Sequence, residues 1–368
     1  MIKRIGIFGV ILMCFLFLSY VPPIFRSQEL PESTQVEKTA SLDAVDDELS
    51  ADYYAEFVGQ PIKDVIQVLG EPTDVVDYNE SRQAMTFGES QADFLQADID
   101  DYGNVASLFV AGEDIPDGQF KIGMTLADIG NGLTLQDQFE VNFENQVFEI
   151  ELSGNDLNTK PLVRFDNGSF AMAHLDQMSG RVLGISYYSK EMFLNNLPYR
   201  LINDSRLKRP LVIQDSSELR AYQERHLSQL LSVMSERQEQ SPAILNQEMS
   251  DVADQLLTVL IKKLPEVIKD DAVLTEWQDL RNQVVSQSFL TLDSDAIHRL
   301  LELADTSIVN QDDFEVLAVT PTDNLNLLLM GLYGGEFGQQ QLFDLSGKSV
   351  GIAISEGMLV LVFESNQR

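Results

Sequence analysis

The chain has 368 residues, 44% of them apolar, and 58 acidic against 25 basic side chains give a formal net charge of −33. Such a surface repels phosphate backbones and argues against nucleic acid as a partner. One cysteine, Cys14, excludes an internal disulfide, and the length leaves room for two or three packed domains.

Residues 1–26 place Lys3 and Arg4 before an uncharged run from Ile5 to Phe25. The strongly apolar part, Ile5 to Val21, is at the short end of the roughly 20 residues that cross a bilayer. Ser19-Tyr20-Val21 is a poor cleavage site because Tyr and Val are bulky. Bulky residues also surround Cys14, which argues against lipid attachment. The segment reads as an uncleaved single-pass membrane anchor rather than a cleaved signal. The early charges put the N-terminus in the cytoplasm and the body outside, although Arg26 and Lys38 weaken the asymmetry. Residues 27–50 are polar and acidic without apolar period, and read as a flexible linker.

Residues 51–202 read as one duplicated module, with repeats at about 57–118 and 121–190. Gly59-x4-Asp64-Val65 matches Gly123-x4-Asp128-Ile129, with Ile62 over Leu126 and Leu69 over Leu133. A second anchor lays Asp101-Tyr102-Gly103-Asn104-Val105-Ala106 over Asp166-Asn167-Gly168-Ser169-Phe170-Ala171. In the first anchor Ile62, Val65, Ile66 and Leu69 share one helical face, Pro61 suits the first turn, and Gly70 with Pro72 stops the helix. Strands are expected at 84–87 in one half and 146–152 in the other. The Asp-x-Gly turns predict hairpins, because glycine supplies positive φ.

The spacing G-x-x-I-x-D-V-x-x-x-L-G-x-P over Gly59 to Pro72, followed by an Asp-x-Gly hairpin, resembles the CAP-associated N-terminal domain. That resemblance covers about residues 55–202. It implies a non-catalytic accessory module of extracytoplasmic bacterial proteins, standing in front of a CAP (SCP/PR-1-like) domain, with no set of catalytic residues to carry over.

Residues 203–214, with Arg206, Lys208, Arg209 and Pro210, read as a linker. Beyond it, Asp215-Ser216-Ser217-Glu218 has capping-box spacing ahead of an apolar stripe from Leu219 to Met234. Further helices are expected over 247–264, ended by Pro265, over 273–286 and over 295–304. Strands at 348–354 and 358–363, joined at Glu356-Gly357, form a last hairpin. Helices first and a hairpin last suit an α+β sandwich.

This order is similar to a CAP domain, and residues 215–368 are identified as a degenerate member. The family's L-x-x-x-A-x-x-H pattern lies on Met249-x3-Ala253-x2-Leu256. Its S-P-x-H-x-x-N-L-L pattern lies on Thr320 to Leu328, and its closing strands on Val350 to Ile354 and Leu359 to Phe363. Both histidine positions are lost, to Leu256 and Asp323, and leucine neither ligates a metal nor moves a proton. The resemblance therefore implies a scaffold without catalytic residues, metal or cofactor.

His174, His226 and His298 lack H-E-x-x-H spacing and read as structural or surface side chains. Asp98-x-Asp100-x-Tyr102-Gly103 begins like a calcium loop, but Phe109 stands where glutamate is needed. A looser cation site at Asp100, Asp101 and Asn104 competes with plain turn chemistry. Tyr333 and Phe337, in a glycine-rich stretch, are candidate groove residues. The fold expected is α+β: a duplicated helix-plus-antiparallel-strand module, then a CAP-like sandwich. The function expected is a membrane-anchored extracytoplasmic binding or scaffolding protein of the bacterial cell envelope. Its partner would be an envelope protein, a peptide or a cell-wall component. The alternative is an envelope hydrolase using paired carboxylates.

Overall fold

The computed structural model describes residues 48–51, 53–78, 82–114, 119–131, 133–203, 216–282, 290–304, 314–320, 324–335, 345 and 347–364. The anchor, the linker up to Asp47, the basic cluster Arg206 to Arg209, Asp323 and Phe337 lie outside them. Among the described residues no helix is long and apolar enough to cross a membrane.

The N-terminal half runs α1 (Tyr53–Phe57), α2 (Ile62–Leu69), β1 (Asp74–Asp77), β2 (Gln83–Phe87), β3 (Leu95–Ile99), β4 (Val105–Val110) and α3 (Leu126–Ile129). It continues with β5 (Gln138–Phe143), β6 (Gln146–Glu151), α4 (Gly154–Thr159), β7 (Leu162–Arg164), β8 (Phe170–Leu175), β9 (Val182–Tyr188), α5 (Lys190–Asn195) and β10 (Arg200–Leu201). α2 begins after Pro61 and stops at Gly70, whose φ of 89° is open to glycine. α3 is closed by a capping box between Thr125 and Asp128.

Seven strands form one antiparallel sheet in the order β1-β2-β3-β4-β9-β8-β7. Its pairing shows the duplication. β4 meets β9 with Phe109 opposite Ser186, Leu108 opposite Tyr187 and Val110 opposite Ile185. A two-fold axis through the Phe109–Ser186 pair thus exchanges the halves. Each half also breaks register at the same place, between Asp98 and Ile99 and between His174 and Leu175. Gly59 and Gly123 dock in the same way, donating to the Val105 and Val182 carbonyls at 2.8 and 2.9 Å.

Two details of the sequence alignment are corrected by this symmetry. The partner of the 100–104 turn is Asp176 to Arg181, between β8 and β9, not Asp166 to Ser169, which lies between β7 and β8. Both segments carry aspartate and glycine because both are tight turns, so residue type alone selects the wrong hairpin. The counterpart of β2 is β7, while β6 pairs with β5 and β10 in a separate three-stranded sheet.

The C-terminal half runs α6 (Ser217–Arg237), β11 (Ile244–Leu245), α7 (Gln247–Val267), α8 (Asp271–Asn282), α9 (Ser294–Leu303), β12 (Phe314–Val319), α10 (Leu325–Tyr333), β13 (Ser349–Ser355) and β14 (Met358–Glu364). Its sheet has the order β11-β13-β14-β12. β14 alternates strictly: Leu359, Leu361 and Phe363 pack with α6 and α10, and Met358, Val360 and Val362 with α7 and α9. The result is a sandwich of helices on both faces of a sheet. At Gly351 a Cβ would lie 2.1 Å from the Met249 carbonyl carbon, so α7 can press on β13 only where the side chain is absent.

Pro265 does not end α7. The helix breaks at Lys263 (φ −126°, ψ 28°), restarts, and takes Pro265 into its new first turn, with Leu264 and Val267 buried. The cap of α6 is Ser216, whose hydroxyl accepts from Leu219 N at 3.0 Å.

The two halves share a core. Phe94, Phe109 and Ala111 of the first pack with Leu227, Leu230 and Leu329 of α6 and α10. Asp47–Arg368 forms one compact unit. α6 and α10 therefore lie between two sheets, with the C-terminal one on one side and the seven-stranded one on the other.

Candidate functional site

The two faces of the seven-stranded sheet differ in chemistry. The face under α1, α2 and α3 is apolar, with Leu95, Ala97, Leu108, Val110, Ile185 and Tyr187. The opposite face, turned to α6 and α10, carries buried Thr86, Gln96, Ser107, His174 and Ser186 and half-buried Asp98. These residues alternate with the apolar ones along each strand, as a two-residue period requires.

A chain of hydrogen bonds crosses this interface. Tyr222 of α6 shares its hydroxyl with Thr86 Oγ1 at 2.9 Å and accepts from Gln96 Nε2 at 3.1 Å. Asn326 of α10 donates to Gln96 Oε1 at 2.5 Å, and its Oδ1 lies 2.7 Å from His226 Nε2. His226 stacks on Tyr222 with ring centroids 5.9 Å apart. Further along, Ser107 donates to Asp98 Oδ2 at 2.6 Å and Tyr78 to Asp98 Oδ1 at 3.2 Å. His174 Nε2 lies 2.8 Å from Ser186 Oγ, and Asn324 donates to the Tyr188 hydroxyl at 3.2 Å.

Burial sets the charge state of these groups. It pulls His226 down to about 4, against the Asn326 hydrogen bond, and His174 down to about 3, with Lys160 adding to the shift. It pushes Tyr188 up to about 12 and raises the Asp98 carboxyl, although Ser107, Tyr78 and Arg82 oppose that rise. At neutral pH both histidines are neutral. Ser186 and His174 have the outline of a nucleophile and base. A base that weak is far from the working pH of a general base, and both side chains are buried. Among described residues the His226 Nδ1 has no hydrogen-bond partner. The arrangement ties α6 and α10 to the seven-stranded sheet through hydroxyl and amide groups.

The residues singled out from sequence fall as follows. Leu256 of α7 is fully buried among Ala253, Leu260, Trp277 and Leu300. Asp323 and Phe337 lie outside the described residues. Tyr333 is the last residue of α10 and is 1% exposed, so it belongs to the core and not to a mobile groove wall. The apolar run before it, Leu327 to Met330, carries the helix through Gly331. Asp100 uses Oδ1 to accept from Tyr102 N and Asn104 N, and Asp101 pairs with Arg82 at 3.2 Å, which is turn chemistry. Among the described residues no group of three metal-ligating side chains is present. His298 is exposed on α9, 3.3 Å from Glu302.

Sequence reasoning missed Gln96, Tyr222, Asn324 and Asn326. The signal was the alternation of polar with apolar residues in strands that prove buried on both faces. Such alternation ordinarily marks a solvent-facing side.

Comparison with known proteins agrees with this architecture. Residues 58–199 match the model of the CAP-associated N-terminal family; the fold as a whole is similar to that of SCP-domain proteins. A cysteine-rich secretory protein (SAV1118) from Staphylococcus aureus subsp. aureus Mu50 superposes with a TM-score of 0.69 and 18% identity, over 87% of this chain and 98% of that one. An extracellular protein containing a SCP domain, from Bacillus anthracis str. Ames, gives 0.64 and 15%, over 89% and 100%. A relative by sequence is the uncharacterized membrane protein YlbC of Bacillus subtilis (strain 168), 22% identical over 159 residues. That match spans 43% of this chain and 45% of the relative, about half the length of each.

Proposed function

We propose that the chain is a non-catalytic binding or scaffolding protein of the bacterial cell envelope. Residues 1–26 anchor it as a single-pass protein, and residues 51–368 face the extracytoplasmic side. Its partner is an envelope protein, a peptide or a wall component. The observation that carries this reading is Leu256: where the CAP pattern sets a histidine, the chain packs leucine into a closed apolar core. Neutral, buried His174 and His226 support it, since each is committed to a neighbouring side chain. The YlbC relative, named a membrane protein, and the extracellular B. anthracis neighbour support the location.

The test uses the full chain in detergent, incubated with purified wall material and with peptides. The expected outcome is saturable retention on one of these envelope components with no soluble product released. Release of sugar or peptide fragments at a rate proportional to protein concentration would overturn the reading.

A further inference from the structure

A second feature lies on the other side of the N-terminal sheet. A cleft of about 210 Å³ opens where α1 and α2 meet the ends of β2 and β4. Tyr53, Tyr54, Leu69 and Phe87 line it with apolar surface, and Asp93 and Asp114 line it with carboxylates. Among the described residues that line it there is no lysine or arginine. The two tyrosine rings meet edge to face, with centroids 4.7 Å apart.

The floor of the cleft is closely packed, and its polar groups are open to solvent. Tyr54 is 8% exposed, and its hydroxyl, without a hydrogen-bond partner among the described residues, is left to solvent at the cleft. Burial, with the field of Tyr53, pushes that phenol up to about 12, so its oxygen is a neutral acceptor. Asp114 is exposed and has no ion-pair or side-chain partner among the described residues, whereas Glu113 is held by Arg237 at 3.3 Å, and Asp93 Oδ1 accepts from Ser90 N at 3.1 Å and Ser90 Oγ at 2.7 Å. Close packing fixes the floor: a Cβ on Gly88 would lie 2.4 Å from the Asp93 carbonyl oxygen, and one on Gly112 2.7 Å from the Ala92 oxygen.

We infer that this cleft receives one cationic side chain, lysine or arginine, from a partner polypeptide. The volume is below the roughly 300–1,000 Å³ of pockets for drug-sized ligands, which suits a single long side chain. Aromatic faces attract a desolvated cation, the methylene stem covers Leu69 and Phe87, and the carboxylates neutralise the charge. The chain's net charge of −33 draws such a partner in from a distance. This rests on the reading of the chain as a binding protein and gives that reading a partner chemistry.

The test titrates the full chain in detergent with acetyl-Gly-Gly-Lys-Gly-Gly-amide and with its norleucine counterpart, which has the same stem without the charge. The lysine peptide should bind at one site, the norleucine peptide at least tenfold more weakly. Asp114→Asn removes a carboxylate and keeps the backbone bond to Ala92. Val68→Lys puts the protein's own cation at the rim, at a side chain already 58% exposed. Each should weaken lysine binding at least tenfold without moving Tm. Asp295→Asn, exposed on α9, should leave it unchanged. Equal binding of the two peptides would overturn the inference. So would an Asp295→Asn loss as large as that of Asp114→Asn, which would mark attraction to net charge alone. Wall hydrolysis with lysine docking intact would sink the binding reading and leave the cleft. Retention on an envelope component without lysine docking would sink the cleft alone.

Discussion

Side chains turned inward between the halves make the fold sensitive to acid. His226 and His174 have folded pKa values of about 4 and about 3, below the ordinary 6.5. As pH falls through 6.5 the unfolded chain takes up protons that the folded chain refuses, so stability is full above that pH and is lost between 6.5 and about 4. For His226 alone the loss is on the order of 3 kcal/mol. Asp98 works the other way, because its raised carboxyl pKa makes the fold gain on acidification. Urea unfolding at pH 7 and pH 4 should therefore show a lower midpoint at pH 4. His226→Gln should flatten that difference, and Asp98→Asn should steepen it. A midpoint independent of pH in the natural chain would contradict this account of the layer.

Among the elements, α6 does most to join the two halves. Its N-terminus is capped by Ser216, and at its C-terminus Arg237 donates to the backbone carbonyls of Ala111 and Leu183, next to the central pair of strands. Glu113 balances the guanidinium at 3.3 Å. Ser216→Ala removes one cap bond and should cost about 1 kcal/mol of unfolding free energy. Arg237→Met leaves two partly buried carbonyls without their donor and should cost about 2–4 kcal/mol, measured by the same urea titration. If the two variants cost the same, Arg237 is not clamping the sheet. The break at Lys263 shows the same rule in α7: proline is tolerated once the helix restarts just before it.

At the scale of the molecule, the halves complete each other. The seven-stranded sheet has one face covered by its own short helices and the other by α6 and α10. Ending the chain at residue 203 would expose Phe94 and Phe109 together with Gln96, His174 and Ser186. Residues 51–202 made alone should therefore bind a hydrophobic dye and unfold without a sharp transition. The intact chain should melt in one calorimetric transition. Two separate transitions in the intact chain would show that the halves are independent domains.

The sequence by itself determined the local plan: the Gly-helix-Gly units, Gly70 as a stop, the turn at Glu356 and Gly357, and the leucine at position 256. Each of these depends on backbone freedom or side-chain type within a few residues, which a linear pattern carries. It also carried the duplication, but not the right partner for the second turn, since every tight turn draws on aspartate and glycine. Tertiary structure alone decided that Gln96, Ser107 and Ser186 are interior, because burial of a strand's second face depends on what packs against it. It decided likewise that Tyr333 is core, and that Tyr53, Tyr54, Asp93 and Asp114 share one cleft. Those residues come from α1, the turn before β3 and the segment after β4, and only long-range pairing brings such distant stretches together.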